Sequence, residues 1–215
     1  MKGIKALIIC SSLAINPALS KEKVPKCMIP VNERPFLDYL IEYLQRFNLE
    51  VVLSIGHMAE KIVTRYPKLK YVLDNLPSGT GGSLRRAMET IDLGEDFFVV
   101  DGGLYIELNY DEMYSIHKRT GAFVTYSLSK VRKPLRDTLV KGGVYLFNRK
   151  IEPFIRLFKN QKEFDLDDIV NSARYKAFEY IISEEVIDIG TQEGYSRFSG
   201  YVKYNPLCPF NLNRK

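Results

Sequence analysis

Short apolar runs alternate with amphipathic segments along the first 130 residues of the chain. The apolar runs predict buried strands at residues 4–10, 50–55, 70–73, 96–100 and 122–128. The segments between them repeat apolar residues every three or four positions, which predicts helices at residues 35–47, 58–66, 83–91 and 111–119. Strands that alternate with helices predict an α/β fold with a mainly parallel sheet covered on both faces.

The same alternation continues more loosely after residue 130. The pattern predicts strands at residues 142–147, 177–182 and 186–189, and helices at residues 151–158, 164–174 and 191–198. Thr191 is expected to cap the last of these helices. Residues 205–215 contain two prolines and no apolar period, so we expect a single domain over residues 1–204 followed by an irregular tail.

The composition is that of an ordinary globular protein, with 46% hydrophobic and 27% charged residues in 215. The apolar runs are too short to span a membrane and the amino terminus lacks a signal-peptide pattern, so we expect a cytoplasmic protein with no membrane partner. A formal charge of +5 from scattered basic residues argues against a nucleic-acid surface. Three widely spaced cysteines, Cys10, Cys27 and Cys208, argue against a disulfide framework and against a zinc site.

A glycine-rich stretch, residues 79–84, stands between a predicted strand and a predicted helix. Ligands of α/β proteins bind beyond the carboxyl ends of the strands. Glycines at such a place let the backbone approach a ligand, and the free N–H groups at a helix start favour an anion or the polar edge of a base. A purely structural turn is the alternative interpretation.

Two acidic positions and one lysine are further candidates for chemistry. Asp101 ends an apolar strand, where a carboxylate commonly binds Mg²⁺, although Asp-Gly is also a simple turn. Asp188 has apolar neighbours on both sides, so it needs a cation or a hydrogen-bond partner, which local capping would also supply. Lys26 follows a proline and is suited to hold a phosphate or, alternatively, to lie on the surface.

Taken in order, these motifs resemble those of the sugar-1-phosphate nucleotidyltransferases, most closely the members that act on mannose- or heptose-type sugar phosphates. The similarity covers roughly residues 4 to 200. The stretches that carry it are Ala6-Leu7-Ile8-Ile9, Pro25-Lys26, Ile29-Pro30-Val31-Asn32, Pro35-Phe36-Leu37, Gly79-Thr80-Gly81-Gly82-Ser83-Leu84, Phe97-Phe98-Val99-Val100-Asp101-Gly102, Gly142-Gly143-Val144-Tyr145-Leu146-Phe147 and Asp188-Ile189-Gly190-Thr191 with Tyr195.

The resemblance implies a Rossmann-like fold of the nucleotide-diphospho-sugar transferase type, with a mixed, mainly parallel sheet and helices on both faces. It implies the reaction of an NTP with a sugar 1-phosphate to give an NDP-sugar and diphosphate. In that reaction the sugar phosphate attacks the α-phosphorus, with Mg²⁺ held between two aspartates. A lysine and an arginine neutralise the developing charge.

The resemblance also assigns roles to individual residues of this sequence. The catalytic residues would be Lys26 and Asp188, and the metal would lie between Asp101 and Asp188. The nucleotide-binding residues would be Ser11, Ser12, Leu13, Asp74, Gly79, Thr80, Gly81 and Asp101. The sugar-side residues would be Lys141, Gly142 and Gly143.

The loop after the first strand departs from the family pattern. Ser11, Ser12 and Ala14 stand where the family has glycines, so each brings a Cβ to a place where backbone must wrap the triphosphate. Asn16 stands where the family has an arginine that meets the β- and γ-phosphates. The loop is therefore predicted to have lost both room and charge.

The metal and sugar sides depart as well. Gly103 occupies the position of the first metal-binding aspartate, and Asp101 lies two residues earlier. Lys141 replaces an asparagine, and the segment between residues 131 and 139 lacks roughly twenty residues of the family pattern, including a glutamate–lysine pair that binds the sugar phosphate. Each lost charge costs about two to three decades in rate.

Three hypotheses follow. The first is a catalytically impaired family member that binds a nucleotide or sugar nucleotide and acts as a regulatory or partner subunit, in a homo- or hetero-oligomer with a related chain. The second is an active enzyme that uses Lys26, Asp101, Asp188 and Mg²⁺ in a rearranged site. The third is a purely structural interaction module. Both carboxylates facing one cavity would favour the second, whereas Ile15 or Phe98 filling that cavity would argue against nucleotide binding.

Overall fold

A computed structural model describes residues 3–11, 24–74, 77–131 and 137–204 of the chain. Several sequence predictions concern positions outside these ranges. They are the roles of Ser12, Leu13, Ala14, Ile15 and Asn16, the shortened segment around residues 132–136, and the tail at residues 205–215. The division into one domain and a tail therefore stays a prediction.

The strands of the described residues follow the predicted alternation with helices. They are β1 (Lys5–Ile9), β2 (Pro30–Val31), β3 (Arg34–Pro35), β4 (Glu50–Ile55), β5 (Lys70–Leu73), β6 (Asp96–Asp101), β7 (Leu104–Tyr105), β8 (Val124–Val131), β9 (Thr138–Asn148), β10 (Ala177–Ile182) and β11 (Ile187–Asp188). Seven of them form one sheet in the order β10-β8-β9-β6-β1-β4-β5. Only β9 runs antiparallel to its neighbours in this sheet, so the predicted mixed, mainly parallel α/β fold is confirmed.

The helices cover both faces of this sheet. They are α1 (Phe36–Arg46), α2 (Ala59–Arg65), α3 (Gly79–Thr90), α4 (Tyr110–Thr120), α5 (Glu152–Arg156), α6 (Leu166–Ser172) and α7 (Gln192–Tyr204). One core layer lies between the sheet and α1, α4 and α7, and the other lies between the sheet and α3, α5 and α6. None of the helices in the described ranges is long and apolar enough to cross a membrane.

The central strand β1 shows why an unbroken apolar run forms here. Ala6 and Ile8 pack into one core layer, and Leu7 and Ile9 pack into the other. Side chains of a strand point alternately to opposite faces, so a strand with helices on both sides must be apolar at every position.

Several details differ from the prediction, among them two helix ends and three short strands. The glycines at the start of α3 are part of the helix, which begins at Gly79 and not at residue 83. The last helix continues to Tyr204, past the predicted end at residue 198. At its start, Gly194 N–H donates to Oγ1 of the predicted cap, Thr191, at 2.9 Å. The two-residue strands β2, β3 and β7 were missed, because runs this short leave no apolar period.

Candidate functional site

A cavity of about 620 Å³ lies at the carboxyl ends of β1, β4 and β5. Its wall includes Ser11 after β1, Gly56 and His57 after β4, and Asp74 after β5. Ser78 and Gly79 close it from the start of α3. Three of the residues predicted to bind a nucleotide, Ser11, Asp74 and Gly79, therefore line one cavity.

The carboxylate of Asp74 is fixed at this cavity by two hydroxyl groups. Ser78 Oγ donates to Asp74 Oδ2 at 2.9 Å, and Ser83 Oγ donates to the same oxygen at 2.6 Å. The other oxygen, Oδ1, has no hydrogen-bond partner among the described residues. A carboxylate held in this way is an oriented acceptor for a ligand that carries N–H groups.

Two backbone N–H groups of the glycine-rich turn are bonded within the chain. Gly81 N–H donates to the carbonyl of Phe164 at 3.0 Å, and Thr80 N–H donates to Asp165 Oδ1 at 3.1 Å. Both acceptors belong to the segment before α6. They bond the two N–H groups that were expected to face a nucleotide. A nucleotide contact of Thr80 and Gly81 therefore stays a prediction, and Gly79 lies at the cavity wall.

Close packing explains why this turn contains glycines. An added Cβ at Gly81 would lie 2.5 Å from the Phe164 ring, and one at Gly79 would lie 2.3 Å from the Phe164 carbonyl oxygen. Gly79 also has a φ of +72°, which disfavours a side chain. The turn glycines therefore dock the segment before α6 against α3 and shape one side of the cavity.

A second centre, formed by Lys26, Asp101 and Asp188, lies on the other side of β1. Ile9 at the end of β1 pairs with Ser54 in β4 and with Asp101 in β6. The cavity and the second centre therefore share one edge of the sheet, as expected for strands that run parallel.

A short antiparallel ribbon brings Asp188 to this centre. Asp188 in β11 pairs with Leu104 in β7, and Ile189 N–H donates to the carbonyl of Gly103 at 3.1 Å. Lys26 Nζ lies 2.7 Å from Asp188 Oδ1, which also accepts the Gly190 N–H at 2.8 Å. The two residues predicted to be catalytic are thus joined directly as an ion pair.

Asp101 is a partly buried carboxyl close to this ion pair. Burial raises the pKa of Asp101 above its ordinary value, and the negative charge of Asp188 raises it further. The Gly103 N–H, which donates to Asp101 Oδ1 at 2.8 Å, and the positive charge of Lys26 lower the pKa in part. The charge of Asp188 therefore acts on Asp101, and Lys26 is a cation near both.

A lysine, and not an open position for Mg²⁺, adjoins Asp188 in this centre. The ion demands near-octahedral oxygen ligands at about 2.0–2.1 Å. Asp188 Oδ1 is already bonded to the Lys26 ammonium and to the Gly190 N–H. Within the described ranges, no group of three or more His, Cys, Asp or Glu side chains is arranged to hold a metal ion.

The predicted sugar-side residues lie on β9, beside Asp101. Gly143 has a φ of +73°, and a Cβ added to it would lie 3.2 Å from Asp101 Cβ. A Cβ added to Gly142 would lie 2.3 Å from Ser127 Oγ, so this glycine serves the close contact between β8 and β9. Lys141 forms an ion pair with Asp167 of α6, which leaves its ammonium group engaged within the chain.

Sequence reasoning missed the residues that orient the first cavity. Ser83 was assigned to the turn only, and Ser78, Phe164 and Asp165 were not singled out. No local pattern could connect Thr80 with Asp165, because these residues are 85 positions apart and meet only in the fold. Ser78 and Ser83 could have been recognised as donors to Asp74, since each lies within nine residues of it.

Similar proteins of known function include guanylyltransferases of sugar 1-phosphates. A D-glycero-α-D-manno-heptose 1-phosphate guanylyltransferase from Campylobacter jejuni is 26% identical over 221 residues, which cover 91% of this chain and 98% of that protein. The bifunctional protein GlmU from Methanococcus maripaludis is 29% identical over 175 residues, or 80% of this chain and 39% of GlmU. No family model matches the chain.

Solved structures share the same fold. HddC from Yersinia pseudotuberculosis has a TM-score of 0.75 and 20% identity, over 92% of this chain and 99% of HddC. Its complex with GMP-PN has a TM-score of 0.73 and 22% identity. The predicted nucleotide-diphospho-sugar transferase fold and the predicted resemblance to the nucleotidyltransferases are confirmed by these matches.

Proposed function

We propose that this homologue of the sugar-1-phosphate nucleotidyltransferases binds a nucleotide or sugar nucleotide but has lost most of the transferase activity, and that it serves as a regulatory or partner subunit. The observation that carries the proposal is the pairing of a formed cavity, lined by Asp74, with an acid centre in which Lys26 is bound to Asp188. The first feature supports binding, and the second argues against efficient chemistry.

The cavity has the dimensions and the chemistry of a base-binding site. Its volume of about 620 Å³ lies within the range of small-molecule sites. Phe98 does not line this cavity and is fully buried on the α4 side of the sheet, with its ring 5.0 Å from that of Tyr110. A cleft that the described residues leave open, with an oriented carboxylate in its wall, supports nucleotide binding over a purely structural role.

The acidic wall favours guanine among the bases. Asp74, Glu163, Asp165 and Asp168 line the cavity, so a ligand group rich in N–H donors fits better there than a phosphate. The Watson–Crick edge of guanine presents N–H donors at N1 and N2, and carboxylates accept such bonds. The relative from Campylobacter jejuni is a guanylyltransferase, which agrees with this preference.

The acid centre supports the loss of transferase activity. Gly103 provides no carboxylate at the position of the first metal-binding aspartate, and Lys26 neutralises Asp188 instead of facing a phosphate. Removing one charge directed at a transition state costs about 2.7–4 kcal/mol. Two such changes leave little catalysis even when their effects are not additive.

An active enzyme with a rearranged site is the second candidate, and one observation favours it. Asp101 and Asp188 do lie in one centre, since Lys26 contacts Asp188 and passes beside Gly103, whose N–H donates to Asp101. On this alternative, a bound triphosphate would draw Lys26 away from Asp188 and expose both carboxylates. Measured turnover with a sugar 1-phosphate separates the two candidates.

Replacing Asp74 tests the binding site directly. We expect Asp74→Asn to weaken the binding of GDP about 10- to 100-fold, because a hydrogen bond to a charged group contributes about 1.5–3 kcal/mol. Isothermal titration calorimetry of GDP, ADP and UDP against the wild type and the variant measures the effect. In the wild type we expect GDP to bind most tightly.

Asp92→Ala is the matched control, since Asp92 is an exposed carboxylate before the amino end of β6. It should bind GDP like the wild type. Equal affinity of the wild type and Asp74→Asn for GDP would contradict the proposed site. Failure of the wild type to bind any of the three nucleotides would favour the structural module.

A further inference from the structure

The side chain of Lys26 follows a path that two glycines leave open. A Cβ added at Gly103, just before β7, would lie 2.4 Å from Lys26 Cδ. A Cβ added at Gly190, just after β11, would lie 2.0 Å from Lys26 Cε. Contacts this short are not found between real side chains, so any side chain at either position would displace the lysine. The lysine side chain therefore passes between Gly103 and Gly190 at one end of the β7–β11 ribbon.

The end of this path is the acid pair. The ammonium group lies 2.7 Å from Asp188 Oδ1, and the Lys26 side chain is only 21% exposed. Asp101 belongs to the same turn as Gly103, whose N–H it accepts at 2.8 Å. The glycine that replaces a metal-binding aspartate in the family pattern is thus the residue over which Lys26 passes to reach Asp188.

We propose that the ammonium group of Lys26 takes the place of a divalent cation at Asp101 and Asp188, so that the resting protein excludes Mg²⁺ and Mn²⁺ from this site. An ammonium group makes hydrogen bonds of about 2.7–2.9 Å to carboxylates, as seen here. A divalent ion on the same oxygen would place two like charges in contact, so the two cations compete for Asp188.

Lys26 and Gly103 therefore act together in replacing a divalent cation. Gly103 removes a carboxylate and opens the path, and Lys26 supplies the positive charge that the remaining carboxylates need. The consequence goes beyond the proposed nucleotide binding: the cation of this centre is supplied by the chain itself and not by an ion from solution.

Titration with Mn²⁺, followed by electron paramagnetic resonance, tests this on the full chain without any nucleotide. We expect Lys26→Met to bind Mn²⁺ at least tenfold more tightly than the wild type, because Met keeps an aliphatic chain over Gly103 and removes the charge. Adding Asp188→Asn to this variant should abolish the gain. Lys159→Met, at an exposed lysine, is the control and should behave as the wild type.

Gly190→Ala provides an independent test if Lys26→Met fails to fold. Its methyl group blocks the path near Lys26 Cε while every charge is kept, so it should also raise the affinity for Mn²⁺. Equal Mn²⁺ affinity of the wild type and the folded variants would overturn the proposal. The outcome is independent of whether the cavity beside Asp74 binds a nucleotide, since no nucleotide is present.

Discussion

Phe198→Ala is expected to lower the free energy of unfolding by about 3–5 kcal/mol, the usual range for a buried Phe-to-Ala change. Phe198 lies on α7 and is fully buried. Its ring centroid lies 5.0 Å from that of Phe36, 5.4 Å from that of Tyr39 and 4.8 Å from that of Tyr105. The ring therefore holds α7 against α1 and against β7, and its removal leaves a cavity between three elements.

The loss of packing in Phe198→Ala should also affect the centre formed by Lys26, Asp101 and Asp188. Tyr105 pairs with Ile187 in the ribbon that carries Asp188, so loosening α7 also loosens the support of Asp188. Urea unfolding followed by circular dichroism measures the change. Phe178→Ala is the control, because Phe178 lies on the edge strand β10 and is 37% exposed, and it should cost less than about 1 kcal/mol. A similar, small loss in both variants would contradict the role of Phe198.

Acid is expected to destabilise the protein through His117. Burial is the main cause that lowers the pKa of His117 to about 4, with Lys118 acting in the same direction and Asp96 opposing it. An unfolded histidine has a pKa of about 6.5, so between pH 6.5 and pH 4 the unfolded chain takes up a proton that the native chain does not. The contribution of His117 to the free energy of unfolding is fully present above pH 6.5, and the free energy of unfolding falls by about 3 kcal/mol as the pH approaches 4.

The surroundings of His117 define the variant for this test. Nδ1 lies 2.8 Å from Thr125 Oγ1, and Nε2 lies 3.6 Å from Asp96 Oδ1. His117→Asn keeps a polar group near Thr125 and removes the titration, so its stability should fall less between pH 7 and pH 4. His57→Asn, at the other histidine of the chain, which is exposed, is the control. Parallel stability curves for the wild type and His117→Asn would contradict this account.

The fold could be predicted from the apolar pattern, because strands of a sheet that is covered on both faces are apolar at every position. A strand such as Ala6-Leu7-Ile8-Ile9 must be apolar on both faces in a sheet covered on both sides, and the sequence shows that run without ambiguity. Single helix ends are less predictable. The start of α3 at Gly79 depends on acceptors from Phe164 and Asp165, which tertiary contact supplies and no local propensity reveals.

The candidate site could be predicted only in part, for a similar reason. The resemblance to the family predicted that Lys26, Asp101 and Asp188 belong to one site. The ion pair between Lys26 and Asp188 depends on the path over Gly103 and Gly190, which is a three-dimensional property. From the sequence, Gly103 could be recognised as the loss of a metal ligand. That the side chain of Lys26 uses the space left by this glycine could not be recognised.

The central claim, binding without efficient transfer, is tested most directly by measuring both properties on one preparation. Binding of GDP is measured by calorimetry, and diphosphate release from GTP is measured with mannose 1-phosphate and with D-glycero-α-D-manno-heptose 1-phosphate. The guanylyltransferase of Campylobacter jejuni serves as the positive control for turnover of the heptose substrate. We predict saturable binding and a release rate at least about three decades below that of the control. A rate comparable with the control would contradict the account.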